Sequence, residues 1–117
     1  MRYALLVYND REALDRRSAA EQERITAAII GALGRPSVGG WLQLHDSDSA
    51  TTVRREHQRT LLTDGPFVDS KDYLGGLILV EADSLDGALA VADDLQEIRG
   101  AGAIEIRPIR GGELSGA

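Results

Sequence analysis

Two segments of this chain are apolar on both faces of a strand, but the sequence supplies only two helical stripes to cover a sheet. Residues 2–8 carry apolar side chains at nearly every position, and residues 77–82 are almost continuously apolar. Strands of this kind are typically buried on both faces. Because two helices cover only one face of such a sheet, the other face requires a second cover.

The two helical stripes follow Ser18 and Asp83. Ser18 and Glu21 have the spacing of a capping box, and the apolar spacing behind them predicts a helix over residues 19–33. Its expected buried stripe is Ile25, Ala28, Ile29, Ala32 and Leu33. Asp83 is expected to cap the second helix, and Gly100 to end it. The second stripe is Leu85, Ala88, Leu89, Ala92, Leu95 and Ile98.

The remaining segments alternate as strands. Alternation predicts strands at residues 41–45 and 103–109 and a polar hairpin with arms at 51–55 and 59–63. The order is strand, helix, strand, hairpin, strand, helix, strand. Without the hairpin this is the ferredoxin-like βαββαβ arrangement, so the predicted fold class is α+β.

The same pattern predicts domain organisation and assembly. A length of 117 residues suits one domain, expected over residues 1–110, with a flexible tail at 111–117. An apolar sheet face is not expected to stay in water. We therefore predict a homodimer in which two copies pack sheet to sheet about a two-fold axis, forming a dimeric α/β barrel.

Composition excludes several classes of function. A net charge of −6 argues against binding to nucleic acid or to anionic membranes. No apolar run reaches the length of a membrane helix, and no signal-peptide pattern is present, so a cytoplasmic protein is expected. The chain has no cysteine, which excludes thiolate chemistry and cysteine-bound zinc. His45, Asp46 and Asp48 are too few to predict a metal site, and no motif predicts a cofactor.

The most distinctive segment covers residues 63–76, here named the Asp64 segment, which is predicted to be a loop between two strands. Asp64 is the candidate catalytic base or ligand anchor, and Phe67 is a candidate ligand-binding residue. Alternatively, residues 64–67 form a turn in which Phe67 fills the core. Lys71 is a candidate for binding an anionic substrate or for pairing with Asp64, and equally a solvated lysine. Gly75 and Gly76 favour a bulge or close packing over a ligand-binding role.

A second set of candidates is polar and predicted to lie on the sheet face away from the helices, inside the proposed dimer. Alternation places Trp41, Gln43, His45, Glu105 and Arg107 there. An acid, a base and a histidine on one buried face are typical of a site for a small polar molecule. The alternative is that Glu105 and Arg107 form a salt bridge at the dimer interface and that His45 lies in water.

Three parts of the Asp64 segment resemble a known signature. Thr-Asp-Gly-Pro-Phe at residues 63–67, then Lys71, then Leu-Gly-Gly at 74–76 are similar to the DGPF-domain branch of the YCII-related proteins. The resemblance extends over most of residues 1–110. It implies a dimeric α+β barrel. Better-known YCII-like relatives are proposed enzymes with a His–Asp pair whose histidine precedes or lies within the first helix.

This chain departs from that pattern, since it has no histidine between Asn9 and Leu44. The dyad is therefore not carried over. We expect a small domain that binds or converts a small polar molecule in a cleft of the homodimer. Some DGPF proteins occur beside or fused to sigma factors, so the alternative is a non-catalytic interaction module linked to a transcriptional regulator, acting through residues 51–63 or the helix faces.

Overall fold

The structure of the protein, a computed structural model, describes residues 1–114. The strands are β1 (Arg2–Asp10), β2 (Val38–Gln43), β3 (Thr51–Glu56), β4 (Arg59–Asp64), β5 (Asp72–Glu81) and β6 (Ala103–Pro108). The helices are α1 (Arg11–Asp15), α2 (Ala19–Ala32) and α3 (Leu85–Arg99). A single 3₁₀ turn, Ser47–Ser49, precedes β3.

Four strands form one antiparallel sheet in the order β2-β5-β1-β6. The hairpin β3–β4 forms its own two-stranded sheet. Strands β1 and β5 lie at the centre of the main sheet, and the crossing helices pack on one face. The predicted α+β class and the ferredoxin-like arrangement with an inserted hairpin are confirmed.

The core lies between this sheet face and the helices. Leu5, Val80 and Leu95 are almost fully buried at its centre, and α3 contributes Ala88, Val91 and Ala92 beside them. Helix α2 is different, because none of its residues is fully buried. The sheet and α3 therefore make the tightly packed part of the domain, and α2 leaves space against β2.

Several predicted boundaries are wrong. Strand β2 begins at Val38 and β5 at Asp72, both earlier than expected, and the short helix α1 was not expected. Ser84 rather than Asp83 is the N-cap of α3, and its side chain makes no capping hydrogen bond. Gly100 follows α3 as predicted, in a left-handed conformation.

The buried stripes also differ from those predicted. On α3, Leu85 and Leu89 are about half exposed, while Val91 and Arg99 belong to the buried face. On α2, Ile25 and Ile29 are only partly buried and Ala28 is exposed; of the predicted stripe, Leu33 is the fully buried member, just beyond the helix. Tertiary packing thus rotates the contact face of α3 away from its predicted stripe, whereas α2 keeps its predicted face but packs it loosely.

The sheet face opposite the helices is apolar in its centre. The pairs Leu6–Leu77 and Ala4–Leu79 stand side by side on it and are partly exposed, and Leu42 beside them is 64% exposed. No helix within residues 1–114 is both long and apolar enough to cross a membrane. Residues 111–114 of the predicted tail are exposed and irregular, and 115–117 lie outside the described residues.

Candidate functional site

A cleft of about 490 Å³ lies between α2 and the edge of the sheet at β2. Its apolar wall comes from α1, from α2 and from the sheet. This wall includes Leu14, Ile25, Ile29, Ile30, Leu33, Val7, Trp41 and Ile78. Polar side chains line the rest: Asn9, Arg17, Gln22, Thr26, Gln43, His45, Asp46, Tyr73 and Arg99. A volume in this range, with apolar walls and a few convergent polar groups, is typical of small-molecule sites.

Helix α2 leaves the cleft open because its inward face is mixed. Ser18 caps the helix by accepting a hydrogen bond from the Glu21 backbone N–H at 3.1 Å, so the predicted start is confirmed. One turn in, the Gln22 side chain donates to the Thr26 hydroxyl at 3.2 Å. Polar groups on this part of the helix do not pack against the apolar sheet, and the space between them becomes the polar part of the cleft.

A β-bulge at Gly75 turns one end of β5 toward the cleft. Val7 pairs with Gly76, but its neighbour Tyr8 pairs with Leu74, so Gly75 is the extra residue. A Cβ at Gly75 would lie 2.1 Å from the Asn9 amide nitrogen, so a larger residue there would displace the Asn9 side chain. Bulges re-aim side chains. Here the bulge puts Tyr73 on the helix side of the sheet, and the predicted bulge or close packing at the glycine pair is confirmed.

Two arginines that the sequence analysis did not single out line the same cleft. Arg99 is only 8% exposed. Its Nη2 donates to the backbone oxygen of Tyr8 at 2.7 Å and to Asn9 Oδ1 at 3.0 Å, and its Nη1 donates to Gln96 Oε1 at 2.7 Å. Arg17 donates to the backbone oxygen of Arg99. Burial, and then the charge of Arg17, hold the pKa of Arg99 below the ordinary value for arginine.

Arg17 is held from its other side by Gln22, whose Oε1 accepts from Arg17 Nη1 at 3.2 Å. A signal for Arg99 was present in the sequence. It lies four residues after Leu95, on the buried face of α3, and a charged residue at such a position requires partners. Arg17 lies between α1 and α2 and belongs to no periodic stripe, so only the folded structure shows its role.

At the mouth of the cleft, Arg11 organises the chain after β2. Its guanidinium binds both oxygens of Asp46, at 3.0 and 3.3 Å, and the Ser47 hydroxyl at 2.6 Å. It also lies over the Tyr73 ring, 4.8 Å from the centroid. The hydrogen bond from Arg11 is the main reason that the pKa of Asp46 lies below its ordinary value of 3.8. This ion pair fixes the segment that carries His45.

The five residues predicted to share the uncovered sheet face lie in two different places in the structure. Trp41 pairs with Ile78 and Gln43 with Gly76, so both lie on the helix-covered side, where they and His45 line the cleft. Glu105 pairs with Leu6 and lies on the opposite face. The prediction that Trp41 and Gln43 share a face with Glu105 is therefore wrong. The physical reason is a bulge between Val38 and Gly40, because a one-residue slip exchanges the faces of a strand.

Arg107 pairs with Ala4 and so accompanies Glu105 on the uncovered face. Its Nε lies 3.9 Å from Glu105 Oε2, and the side chains are 70% and 52% exposed. The two side chains thus pair within one chain, and the alternative interpretation, a salt bridge at a dimer interface, stays a prediction. The two residues are separated from the cleft by the thickness of the sheet.

The first half of the Asp64 segment also lies outside the cleft. Asp64 ends β4 and is exposed, and Gly65 after it is tied to the hairpin by hydrogen bonds with Ala50 and Thr52 at 2.7 Å each. Phe67 is 73% exposed, so its predicted place in the core is wrong. Lys71 lies 3.7 Å from Asp10 Oδ2 and does not pair with Asp64. Catalytic and binding roles for these residues stay predictions.

Within residues 1–114, no group of three or more histidine or acidic side chains is arranged to hold a metal ion. The cleft instead offers hydrogen-bond donors from arginine, asparagine, glutamine and tyrosine side chains beside an apolar wall. Such a set binds and orients an organic molecule with a polar end.

Known proteins similar to this chain include one curated relative and two solved structures. The chain is 34% identical over 114 residues to an uncharacterised protein of Rhizobium meliloti (strain 1021), with 93% of this chain and 92% of that protein covered. Among solved structures it is similar to 5-chloro-2-hydroxyhydroquinone dehydrochlorinase (TftG) from Burkholderia phenoliruptrix AC1100, in complex with 2,5-dihydroxybenzoquinone. That likeness has a TM-score of 0.49 at 18% identity and covers 96% of each chain.

The chain is also similar to a second solved structure, the divalent cation tolerance protein (Cut A1) from Thermus thermophilus. It gives a TM-score of 0.40 at 11% identity and covers 97% of this chain and 88% of that one. Neither structural likeness bears on the chemistry of the cleft. The sequence comparison is decisive for the family: residues 1–111 match the YCII-related domain. This chain belongs to the YCII-related family.

Proposed function

We propose that this protein binds a small organic molecule, apolar at one end and polar at the other, in the cleft between α2 and β2. The observation that carries the proposal is the meeting of an apolar wall with hydrogen-bonding side chains from separate elements in one cleft of about 490 Å³. The proposal keeps the small polar ligand expected from the sequence. The proposed binding site, however, lies on the helix-covered side of the sheet and not on its open face.

The ligand's body packs against Ile25 and Ile29 of α2 and against Trp41 of β2. Its polar end meets Gln43 and Tyr73 on the sheet. If the molecule is also converted, His45 at the rim is the lining side chain best suited to accept or donate a proton. Asp64, which lies outside the cleft, takes no part in this proposal.

A fluorescence titration tests it directly. Trp41 is the one tryptophan of the chain and lines the cleft, so its emission reports on occupancy. A panel of small neutral and anionic organic compounds is expected to contain members that change the emission saturably. Thr26→Phe, which fills the cleft from α2, is expected to abolish that change. Ala27→Phe, on the exposed side of the same helix, serves as the matched control.

Two results would contradict the proposal. One is a panel in which no compound, neutral or anionic, gives a saturable change in the wild-type protein. The other is an affinity that is the same in Thr26→Phe as in Ala27→Phe while both variants remain folded.

We further propose that two copies pack through the uncovered sheet face. Its centre is apolar, with Leu6 beside Leu77, and its edge carries Glu105 and Arg107, which have opposite charges. In a two-fold arrangement an acid of one copy can meet a base of the other, so the edge is complementary to itself. Sedimentation is expected to give twice the chain mass of 12.6 kDa.

Leu77→Lys is expected to give a folded monomer, because it places a charge at the centre of the interface. Leu62→Lys, on the exposed face of the hairpin, should leave the dimer intact. A wild-type protein that stays monomeric at micromolar concentration overturns this part of the proposal.

A second candidate function has one observation in its favour, the exposed apolar surface of the hairpin. Val53 and Leu62 pair directly across β3 and β4 and are 62% and 70% exposed. Phe67 and Val68 follow, at 73% and 70% exposed. Exposed apolar patches mark interaction sites. This surface would serve the interaction module linked to a transcriptional regulator.

The two functions are separable by mutation. A regulator that binds the purified protein, keeps binding the cleft-filled Thr26→Phe variant and is lost in a Val53→Ser/Leu62→Ser variant would favour the interaction module. Binding that follows the cleft variant and ignores the hairpin variant would exclude it.

A further inference from the structure

The two arginines of the cleft carry positive charge that no side chain balances. Every acceptor around the buried guanidinium of Arg99 is neutral: the backbone oxygens of Tyr8 and Ala103, Asn9 Oδ1 and Gln96 Oε1. The ion pairs formed within residues 1–114 do not include Arg99 or Arg17. Buried charges are normally paired, because desolvation of an unpaired ion is costly.

The nearby acids are engaged elsewhere. Asp46 binds Arg11 through both oxygens. Asp10 accepts from the backbone N–H of Ala13 at 3.3 Å and faces Lys71. The chain as a whole has 19 acidic residues against 13 basic ones, so a shortage of carboxylates does not explain the pair. The fold brings two positive charges together on one wall of a cleft in an acidic protein.

We propose that Arg17 and Arg99 form an anion subsite that binds a carboxylate of the cleft ligand. This inference rests on the proposed function and gives it a substrate class, organic carboxylates with an apolar body. A carboxylate matches the planar donor fork of a guanidinium and accepts two hydrogen bonds from it. It would supply the negative charge that the surrounding protein groups do not.

The two arginines have different parts in the subsite. Arg99 is fixed by bonds to neutral acceptors on β1 and α3, so it supplies a charge and a position that do not change on binding. Arg17 is partly exposed and held by Gln22 and one backbone oxygen, so its guanidinium can turn toward a ligand. The hydrocarbon part of the ligand then lies along Ile25 and Ile29.

The competing explanation is that Arg99 only fastens the end of α3 to β1. A purely structural arginine requires the neutral acceptors already present and predicts no preference for charged ligands. The charge preference of binding, rather than the stability of a variant, therefore separates the two explanations. For this reason the test uses Arg17 and leaves the buried Arg99 unchanged.

The experiment compares benzoate with benzamide, which share size and shape and differ in charge, by titration calorimetry at constant ionic strength. We expect benzoate to bind the wild-type protein at least about tenfold more tightly than benzamide, as expected for a charge-assisted bond. Arg17→Gln is expected to remove most of that preference. Arg24→Gln, the same charge change on the exposed side of α2, is expected to keep it.

The outcomes distinguish failure of the anion subsite from failure of the proposed cleft function. If benzamide and benzoate bind equally, or neutral compounds of the fluorescence panel bind while carboxylates do not, the anion subsite is overturned and the cleft proposal stands. If no compound binds, both fall. If Arg17→Gln is unfolded, Arg17→Lys replaces it: this variant keeps the charge without the fork and is expected to retain the preference in weakened form, whereas an unchanged preference and affinity would remove Arg17 from the subsite.

Discussion

The two halves of the Asp64 segment lie in different environments in the fold: the first is exposed, and the second lines the cleft. Asp64 is the last residue of β4, Phe67 follows it in the connection to β5, and both side chains are exposed. Tyr73, Gly75 and Gly76, a few residues later, belong to β5 and line the cleft. The first half, which carries the more reactive side chains, is the half that the fold holds less rigidly. A site needs groups held by rigid elements, and here the glycines and the tyrosine meet that condition.

The difference arises from the bulge at Gly75. Up to Leu74 the strand pairs with β1 in one register, and from Gly76 onward in another. The shift turns Tyr73 toward the helices, beside Asn9, while the residues before β5 leave the sheet altogether. The main structural contribution of the Asp64 segment is thus to shape the floor of the cleft, and Asp64 itself lies outside the cleft.

The largest expected effect is a loss of stability on substitution of Gly102, which lies where the turn after α3 approaches β1. This residue has φ +72°, and a side chain there would lie 2.2 Å from the backbone oxygen of Tyr8, the same atom that accepts from Arg99. Gly102→Ala is expected to lower the free energy of unfolding by roughly 2–4 kcal/mol, from the left-handed conformation and the clash together. Urea denaturation measures this loss.

Gly100→Ala is the matched control. Gly100 has the same φ of +72°, but nothing lies within 4 Å of a side chain placed there. It should cost only about 1–2 kcal/mol, the conformational part alone. Equal losses in the two variants would show that the close approach of β1 to this turn does not constrain the cleft.

The next effect compares the cleft wall with the exposed half of the Asp64 segment as binding sites. Trp41→Leu removes part of the cleft wall and is expected to weaken any cleft ligand by about tenfold, since truncation of a buried aromatic contact is costly. Asp64→Asn is expected to change the affinity by less than about twofold, because Asp64 is exposed and outside the cleft. Calorimetry measures both without depending on tryptophan emission.

A larger loss of affinity in Asp64→Asn than in Trp41→Leu would contradict this comparison. A large loss of binding in Asp64→Asn, with an unchanged solution mass and normal stability, would restore Asp64 as the catalytic or anchoring residue that the sequence predicts. It would also mean that the ligand lies outside the α2–β2 cleft, near the base of the hairpin.

The fold could be predicted from the sequence because its signals are local and repeated. The apolar residues of β1 and β5, the capping serine of α2 and the stop at Gly100 each act within a few residues. Their order then leaves few topologies. The helix faces were less predictable, since Val91 and Arg99 are buried on α3 while the more apolar Leu89 is half exposed. Which side of a helix is buried depends on the sheet it meets.

The site could be predicted only in part, because it depends on register and on distance along the chain. The sequence singled out Trp41, Gln43 and His45, which line the cleft, but the bulge between Val38 and Gly40 places Trp41 and Gln43 on the face opposite to the one predicted. Arg17 and Arg99 are 82 residues apart, and no short-range pattern indicates that they meet. A buried-face arginine after Leu95 was the one available sign.

The smallest effect concerns the mouth of the cleft and its pH dependence. Arg11 lowers the pKa of Asp46 in the folded protein below its ordinary value of 3.8. A depressed carboxylate pKa stabilises the fold above that ordinary value, and the contribution disappears as the pH falls through the folded-state pKa. Arg11→Gln is expected to be slightly less stable than wild type near neutral pH and to approach it at strongly acidic pH.

Melting temperatures measured from about pH 6 to about pH 2 test this, with Arg24→Gln as the charge-matched control. The pKa of Asp10 is also depressed, chiefly by the backbone N–H of Ala13, but Arg11→Gln leaves that hydrogen bond intact, so it contributes equally to both proteins. A difference between wild type and Arg11→Gln that persists unchanged to the acid end would mean that Arg11 stabilises the fold mainly through its hydrogen bond to the Ser47 hydroxyl and its stacking on Tyr73, 4.8 Å away. The carboxylate would then be incidental, and the mouth of the cleft would be held by these two contacts, which do not titrate in this range.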